Sequence, residues 1–495
     1  MKNHLRLMVV GTTLLMAASF LLFPTGGSEV VQPKEKVQIQ VYVTTNIEEF
    51  PKGQDENNNF IADYIDETTG YDVQWSIQPK YGLREKLSLM MSSGDAPDLI
   101  QLFAERSIFA DFARQGVLTP LSAILDEAGP AIKSIVPPDT WRIVSYKGKV
   151  YGIPVPQAAV NSLGLLTRTD WLDSLNLKAP STVDDFYEVF KAIKTADPGG
   201  KDTIPYVAGA GGGDAFTNLH AFTGAFGIAV PYQEKNGSIV CSYILDEARD
   251  FLTYMNKLYS EQLLDQEYPV NKAENITQKL VDERAAMTTT SCWGSKYIIE
   301  SVNEKNPSSD FTFIDLPTGP EGQSGFPQNP PVNWILVIPV YSDKAEEAVD
   351  LVNQYVSHPD LMDSVSFGIE GKHYNMEDGV VVPTEEAANI RWQVYYNLWA
   401  SREAHFQRAK FKGFWPYYEA VHRYTTVPNM LDYAPPIAVV EEKAGALNDL
   451  VNENFIKIIA GALPISSFED FVASWKSLGG EETLKALNDW YASTQ

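Results

Sequence analysis

The chain has 495 residues, of which 44% are hydrophobic and 12% aromatic, and its formal net charge at pH 7 is −25. This length exceeds what one simple core supports, so we expect two or three domains. The acidic balance argues against a nucleic-acid partner, which needs a basic surface, but says little about the charge of a ligand pocket.

The N-terminus has the pattern of an export signal. Lys2 and Arg6 precede an uncharged apolar run over residues 7–23, and the small residues Thr25 and Gly27 follow it. This pattern predicts a signal peptide over residues 1–27, cleaved after Gly27. The apolar run is also just long enough to span a bilayer as an uncleaved anchor on the membrane surface. Either way, we expect the remaining chain outside the cytoplasm, secreted or at the outer face of the cell membrane.

The first third of the chain alternates strands and helices. An alternating β-branched run over 37–43 predicts a strand, 59–68 a helix closed by Gly70, and 71–77 a second strand. Leu83, Leu87, Met90 and Met91 then form one apolar stripe on a helix that ends at residue 94, and a third strand follows over 98–103. The order β, α, β, α, β predicts a doubly wound α/β sheet, whose ligands bind beyond the carboxyl ends of the strands.

The rest of the chain is mixed and then helical. The patterns predict strands over 163–167, 284–290 and 334–339, and helices over 181–194, 247–263, 271–282 and 344–356. Helices dominate from residue 385 onward. AGAGGG at 208–213 lacks the third glycine of a dinucleotide-binding motif, so we interpret it as a mobile loop.

Motifs for common enzymes are missing from the sequence. It contains no H-E-x-x-H, G-x-S-x-G or G-x-x-x-x-G-K-[ST], and its six histidines show no metal-ligand spacing. We therefore expect no cofactor and no bound metal. The two cysteines, Cys241 and Cys292, give no disulfide framework; two buried thiols are the simpler prediction, and a single bridge between them is the alternative.

The aromatic content is high, with 10 Trp, 24 Tyr and 23 Phe. Aromatic rings cover the C–H faces of sugars, while polar side chains satisfy the hydroxyls. We expect Trp171, Trp475 and Trp490 to pack in cores. Trp293, Trp334 and Trp415 lie among Gly, Ser, Pro or Asn at loops or strand ends, which favours ligand binding.

Several motifs, in order, resemble those of the extracellular solute-binding proteins of ABC importers. They are SGDAPD at 93–98, GVLTPL at 116–121, KGKVYGIP at 147–154, RTDWL at 168–172 with LKAPST at 177–182, FGIEG at 367–371, and IAGALPI at 459–465. The set is most similar to the lipoprotein branch that binds oligosaccharides in Gram-positive bacteria. The chain departs from that branch in having no lipid-anchoring cysteine after the apolar run.

The resemblance implies a periplasmic-binding-protein-like fold of type II, with two α/β lobes that close like a hinge on a ligand in the cleft between them. The first lobe would hold 37–160 plus 335–382, and the second 161–334 plus 383–495. The implied function is binding without catalysis: the protein captures an oligosaccharide and delivers it to the permease subunits of an ABC transporter.

Carrying the family's motif positions onto this chain places the cleft residues. They are Asn46, Phe103, Glu105, Arg106, Asn161, Asp214, Trp293, Trp334 and Trp415. Glu105 and Arg106 would bind hydroxyls or a uronate carboxylate, since arginine suits bidentate contact. Trp293 would stack on a sugar ring.

Some relatives carry a calcium loop after the DWL helix, and here that loop is DPGGKDTIP at 197–205. It is shorter and has lost oxygen ligands, so we expect no strong calcium site. Two other functions stay open. A secreted carbohydrate-active enzyme would place a carboxylate pair about 5–9 Å apart in the cleft, and an uncleaved segment over 7–23 would favour a membrane-anchored sugar sensor.

Overall fold

The computed structural model describes residues 36–45, 50–79, 82–103, 106–399 and 401–494, and for residues 45, 103 and 391 it describes the backbone alone. The predicted export segment and the predicted site residues Asn46 and Glu105 lie outside these ranges. None of the helices in these ranges is long and apolar enough to cross a membrane.

The strands are numbered in chain order. They are β1 (Gln38–Thr45), β2 (Asp72–Pro79), β3 (Leu99–Phe103), β4 (Ser145–Tyr146), β5 (Lys149–Val150), β6 (Ile153–Pro156), β7 (Leu163–Arg168), β8 (Ile204–Tyr206), β9 (Tyr232–Lys235), β10 (Ser238–Cys241), β11 (Ala285–Ser291), β12 (Phe311–Ile314), β13 (Phe326–Pro327), β14 (Val332–Val337), β15 (Tyr374–Glu377), β16 (Val380–Pro383) and β17 (Thr426–Val427).

The α-helices are numbered in the same way. They are α1 (Phe60–Thr69), α2 (Leu83–Ser93), α3 (Arg106–Gln115), α4 (Ser122–Ala128), α5 (Pro130–Ile135), α6 (Thr169–Ser174), α7 (Val183–Ala196), α8 (His220–Ala225), α9 (Asp246–Ser260), α10 (Ala273–Val281), α11 (Cys292–Lys305), α12 (Ala345–Ser357), α13 (Pro359–Phe367), α14 (Arg402–Phe411), α15 (Trp415–Val421), α16 (Ala438–Ile459), α17 (Ser467–Trp475) and α18 (Glu481–Ala492). Turns of 3-10 helix cover Pro138–Val144, Ser242–Ile244, Glu385–Tyr396 and Met430–Tyr433, and Lys476–Gly480 is a π-helical turn.

A five-stranded sheet has the order β2-β1-β3-β14-β6. The three N-terminal strands are parallel, as their β, α, β, α, β pattern predicts, and β14 runs antiparallel to β3 and β6. Ile39, Val41 and Val43 enter one core, while Tyr42 enters a core on the other face, because side chains alternate across a strand. Both faces are therefore buried at the centre of this sheet, whereas the edge strand β2 alternates buried and partly buried residues, as DVQWSIQP does in polarity.

A second sheet of four strands has the order β12-β7-β11-β8. β11 pairs antiparallel with β7 and parallel with β8. The core around this sheet includes Phe186 and Phe222, whose rings meet edge to face at 5.6 Å, and the C-terminal helices α16 to α18 add Trp475 and Leu487 to it. Trp171 and Trp475 are buried, as predicted, whereas Trp490 is half-buried at the edge of this core.

Two chain segments that run side by side connect the sheets. The backbone N–H of Gln157 donates to the carbonyl of Pro331, and that of Asn329 donates to the carbonyl of Val160, each at 2.9 Å. The amide side chain of Asn329 also donates to the carbonyl of Ala159 at 2.9 Å. This pairing fixes the crossing between the two sheets and thereby where residues from both can meet.

The AGAGGG segment differs from the mobile loop that its composition predicts. Its backbone donates hydrogen bonds from Ala210 to Tyr268 at 2.7 Å and from Gly211 to Asn271 at 2.8 Å. A Cβ atom on Gly211 would lie 2.2 Å from the carbonyl oxygen of Val270. The glycines thus allow two backbone segments to touch, which composition alone does not distinguish from flexibility.

Cys241 and Cys292 are both buried and form no disulfide, in agreement with the simpler of the two predictions. Burial raises the pKa of each thiol to about 12. Both cysteines are therefore protonated and unreactive at neutral pH, and we assign them to packing.

Candidate ligand-binding site

A cavity of about 290 Å³ lies where residues of both sheets meet. We call it the tryptophan cavity, because Trp293 and Trp334 both line it. The remaining lining residues come from β1, β3 and the region from Val394 to Phe414: Thr44, Gln101, Val394, Tyr395, Asn397, Arg408, Lys412 and Phe414.

A second cavity of about 490 Å³, which we call the side cavity, shares Trp293, Lys412 and Phe414 with the first. Lys296, Tyr297 and Glu300 of α11 line it, together with residues from 383 to 393. The shared residues make the two cavities neighbours along one surface. Together they offer room for more than one sugar ring.

Trp334 reaches the tryptophan cavity from the middle of the five-stranded sheet. It lies in β14 opposite Phe103 of β3 and Val155 of β6. On β3, the side-chain amide of Gln101 donates to the carbonyl of Asn397 at 3.0 Å, in a buried position. This bond joins the sheet to the segment that forms the adjacent wall.

Trp293 reaches the same cavity from the four-stranded sheet. It lies in the first turn of α11, which begins where β11 ends, and the Ser291 hydroxyl caps this helix by accepting from the Gly294 N–H at 3.0 Å. The indole meets Phe414 edge to face at 4.8 Å and His405 at 5.7 Å. These contacts fix the orientation of a half-buried ring, which suits it to stack on a sugar face.

Arg408 supplies a positive charge at this site. Its guanidinium lies 3.4 Å from the Nδ1 atom of His405, and desolvation lowers its pKa. His405 is neutral at physiological pH, because desolvation first, and then the nearby Arg408 and His422, lower its pKa to about 4.

Of the residues predicted from the sequence, Trp293 and Trp334 come together in the tryptophan cavity. The backbone of Phe103 lies beside Trp334 in the sheet. Arg106, Asn161, Asp214 and Trp415 lie elsewhere, and each is engaged by other parts of the chain.

Arg106 joins α3 to the segment before α16. Its two terminal nitrogens donate to the carbonyls of Ala434 and Pro435, each at 2.6 Å, and its Nε donates to Glu441 at 3.1 Å. Arg142 donates to the preceding carbonyl, that of Tyr433, at 2.9 Å. We call this set of contacts the arginine clasp. The donors of Arg106 are thus used within the protein rather than presented to the tryptophan cavity.

The other three predicted residues contact other parts of the protein instead of the tryptophan cavity. Asn161 is 1% exposed, and its amide donates to the carbonyls of Leu163 and Val421, both at 2.8 Å. The Asp214 carboxylate accepts from the Phe216 N–H at 3.0 Å. Trp415 begins α15 and stacks on Tyr418 at 5.9 Å, with the Lys410 amine 4.8 Å from its ring centroid.

In the loop over 197–205, which resembles the calcium loop of some relatives, Asp197 and Asp202 each interact with donors of the protein itself. One oxygen of Asp197 accepts from the Thr203 N–H at 2.8 Å and hydroxyl at 2.6 Å, and Asp202 pairs with Lys194 at 2.6 Å. In the described part of the chain, no three His, Cys, Asp or Glu side chains group as a metal site would require.

The sequence reasoning missed Thr44, Gln101, Tyr395, Asn397 and Arg408. Thr44 and Gln101 are carried by strands that the pattern did predict, and their position toward a carboxyl end was the available signal. The other three lie between residues 395 and 408, where Tyr395 and Asn397 have no regular periodicity or turn motif and Arg408 is part of an ordinary helical sequence. Only the packing of that region against the five-stranded sheet brings them to the cavity.

Comparison with known proteins places this arrangement in context. The lipoprotein LipO of Bacillus subtilis is 26% identical, over 87% of this chain and 88% of its own length. The polygalacturonan/rhamnogalacturonan-binding protein YtcQ of the same organism is 23% identical, over 85% of each chain. The solved structure of the Streptococcus pneumoniae ABC-transporter substrate-binding protein FusA, an EF-hand mutant in complex with fructo-nystose, covers 92% of this chain and 99% of its own, with a TM-score of 0.68 and 18% identity.

The structural likeness confirms the predicted two-lobed fold of type II. The sequence model for the bacterial extracellular solute-binding proteins matches residues 52–360, which is more than half of the chain and confirms the resemblance seen in the ordered motifs. Members of this family act outside the cytoplasm, and the relatives named above with a ligand are binding proteins. This chain belongs to the family of bacterial extracellular solute-binding proteins.

Proposed function

We propose that the protein captures an oligosaccharide outside the cytoplasm and delivers it, unaltered, to the permease of an ABC importer. The observation that carries this proposal is that Trp293 and Trp334, held by different sheets, line one cavity. The names of YtcQ and FusA, a polysaccharide-binding protein and a transporter's substrate-binding protein, support it.

The mechanism follows from where the two tryptophans are held. A sugar in contact with both favours the conformation in which the two sheets are close together, because only that conformation provides both contacts. Closure about the paired segments near residues 157–160 and 329–331 would then present a surface for the permease to recognise.

We propose lobe boundaries close to those predicted from the sequence, 37–160 with 335–382 and 161–334 with 383–495. Two changes are supported by packing. β14 pairs with β3 and β6 in the five-stranded sheet, so we assign 332–334, which include Trp334, to the first lobe. Ile390, Trp392, Tyr396 and Trp399 are buried in a core of the five-stranded sheet, so we assign 383–399 to the first lobe. We further propose that residues 1–27 direct export or hold the protein at the membrane surface.

The test is a titration of intrinsic tryptophan fluorescence against neutral and uronate oligosaccharides, with the sugar analysed by mass afterwards. We expect a saturable shift, intact sugar, and loss of the shift in Trp293→Ala. Sugar that shortens with time would replace this proposal with the secreted carbohydrate-active enzyme.

A further inference from the structure

Arg408 has no carboxylate partner among the residues that the structure describes. In the described part of the chain, no carboxylate oxygen lies within 4.0 Å of the Arg408 guanidinium, although other ion pairs do occur, such as Arg106 with Glu441. Among the described residues, its guanidinium makes a polar contact with the neutral ring of His405, at the long distance of 3.4 Å. Arg408 is half-buried at the wall of the tryptophan cavity, so its charge is accessible to a ligand there.

The described lining of the tryptophan cavity adds no negative charge beside Arg408. The tryptophan cavity is lined by Arg408 and Lys412 and by no described carboxylate. The side cavity adds Lys296 and Glu300, which pair with each other at 2.5 Å and so cancel.

The same cavity offers an apolar surface beside this charge. Trp293 and Phe414 lie at its wall, and Trp293 is held by edge-to-face contacts that leave it half-buried. A ligand that satisfies both features carries an anionic group next to a flat C–H face. A uronic acid residue in an oligosaccharide has this combination.

We propose that the ligand is an acidic oligosaccharide, with a uronate carboxylate paired to the Arg408 guanidinium and a sugar ring on Trp293. The inference rests on the proposed function and adds the charge of the substrate to it. Arginine matches a carboxylate with two parallel hydrogen bonds. No described carboxylate pairs with Arg408, so a uronate would supply its counter-ion, whereas a neutral sugar would leave the charge without one.

The experiment compares ligands that differ only in charge, using calorimetry on the full chain. The probes are α-1,4-trigalacturonate and its fully methyl-esterified form, β-1,4-trimannuronate and neutral β-1,4-mannotriose, and a sulfated carrageenan oligosaccharide as a second anion. We expect at least one uronate to bind about tenfold or more tightly than its uncharged partner, as a charge-assisted hydrogen bond implies.

Variants on one helix assign this preference to a residue. Arg408→Gln should lose about tenfold or more in uronate affinity, and the ratio of affinities between the uronate and its uncharged partner should fall accordingly. Arg402→Gln is the matched control, because Arg402 lies on the same helix, is exposed and lines neither cavity. Without ligand, Arg408→Gln should melt close to the wild type, since it breaks no ion pair among the described residues.

Each other result has a definite meaning. Equal or tighter binding of the uncharged sugars would overturn the acidic ligand and leave the oligosaccharide receptor intact. A uronate preference that persists in Arg408→Gln would place the carboxylate at another residue, and a stronger response to the sulfated sugar would replace the uronate. No response to any sugar, charged or neutral, would overturn the proposed function itself.

Discussion

The guanidinium of Arg106 lies 3.0 Å from the carboxylate of Glu441, although 335 residues separate them in the sequence. Arg106 begins α3, whose side chains pack on the five-stranded sheet, and Glu441 is on α16, which packs on the core of the four-stranded sheet. Both side chains are mostly buried. The pair therefore joins the two sheets away from the tryptophan cavity.

Replacing Arg106 by Gln should lower the free energy of unfolding by about 2–3 kcal/mol, because Glu441 would keep its burial and lose its counter-ion. Glu441 depends on that counter-ion: desolvation raises its pKa, and Arg106 opposes the rise. Urea denaturation at pH 7 measures the loss.

The control for Arg106 lies at the other end of the same helix. Arg114 pairs with Asp111 in an exposed position, so Arg114→Gln should change the unfolding free energy by about 0.5 kcal/mol or less. The double variant of Arg106→Gln and Glu441→Gln should recover part of the loss. If the two single losses simply added, the pair would not be coupled.

Asp432, next to the arginine clasp, should make stability depend on pH. Desolvation raises the pKa of this carboxyl to about 6, although the charge of Arg106 and a hydrogen bond from Asn429 act in the opposite direction. The folded protein therefore holds this proton to higher pH than the unfolded chain does. The contribution of Asp432 to stability is largest below about pH 4 and falls as the pH rises through 6.

The measurement is the unfolding free energy of the wild type and of Asp432→Asn between pH 5 and pH 7. As the pH rises, we expect the unfolding free energy of the wild type to fall relative to that of Asp432→Asn, because the carboxyl ionises and the amide cannot. Asn can still accept the hydrogen bond from Asn429, which is 3.1 Å long in the wild type. Parallel curves for the two proteins would contradict the assigned pKa.

Local pattern predicted much of the five-stranded sheet. Leu83, Leu87 and Met91 form the buried stripe of α2, and β1 to β3 fall within a residue or two of their expected positions. Periodicity shows which face of an element is buried. It does not show which distant strand will pair, and so the place of β14 beside β3, with Trp334 opposite Phe103, was not available from the sequence.

The candidate site was predictable to the same extent. Trp293 and Trp334 carried a chemical signal, since exposed aromatic residues near strand ends are common at ligand sites. Arg106 also follows the end of a strand, β3, but its side chain forms the arginine clasp. Arg408 lies in an ordinary helical sequence, and we infer its role only because no described carboxylate pairs with it, which is a property of packing.

The two tryptophans Trp293 and Trp415 should respond differently to replacement by Ala. Trp293 lines both cavities, so we expect its loss to weaken sugar binding by about 2 kcal/mol, roughly a 30-fold change in Kd. Trp415 lines neither cavity and packs against Phe406 and Tyr418. Its loss should lower the unfolding free energy by about 1–3 kcal/mol and leave the Kd unchanged.

Titration of both variants with the tightest-binding sugar, together with urea denaturation, separates these effects. The tryptophan whose replacement causes the larger loss of sugar affinity is the one that belongs to the site. A large loss of affinity in Trp415→Ala, with Trp293→Ala unaffected, would move the ligand from the tryptophan cavity toward α15.

Calcium should leave the thermal stability of the protein unchanged. Calcium binds six to eight oxygen atoms. In the loop over 197–205, Asp197 already accepts hydrogen bonds from Thr203, and Asp202 accepts one from Lys194. The hydrogen bonds from Thr203 also lower the pKa of Asp197, so this carboxylate is ionised and satisfied without a metal. Melting temperatures in millimolar calcium and in a chelator should therefore agree within about 1 °C, since a ligand stabilises only when its concentration exceeds its Kd. A rise of several degrees that disappears in Asp197→Asn would show that the shortened loop still binds the ion, whereas the same rise in both proteins would place the calcium elsewhere.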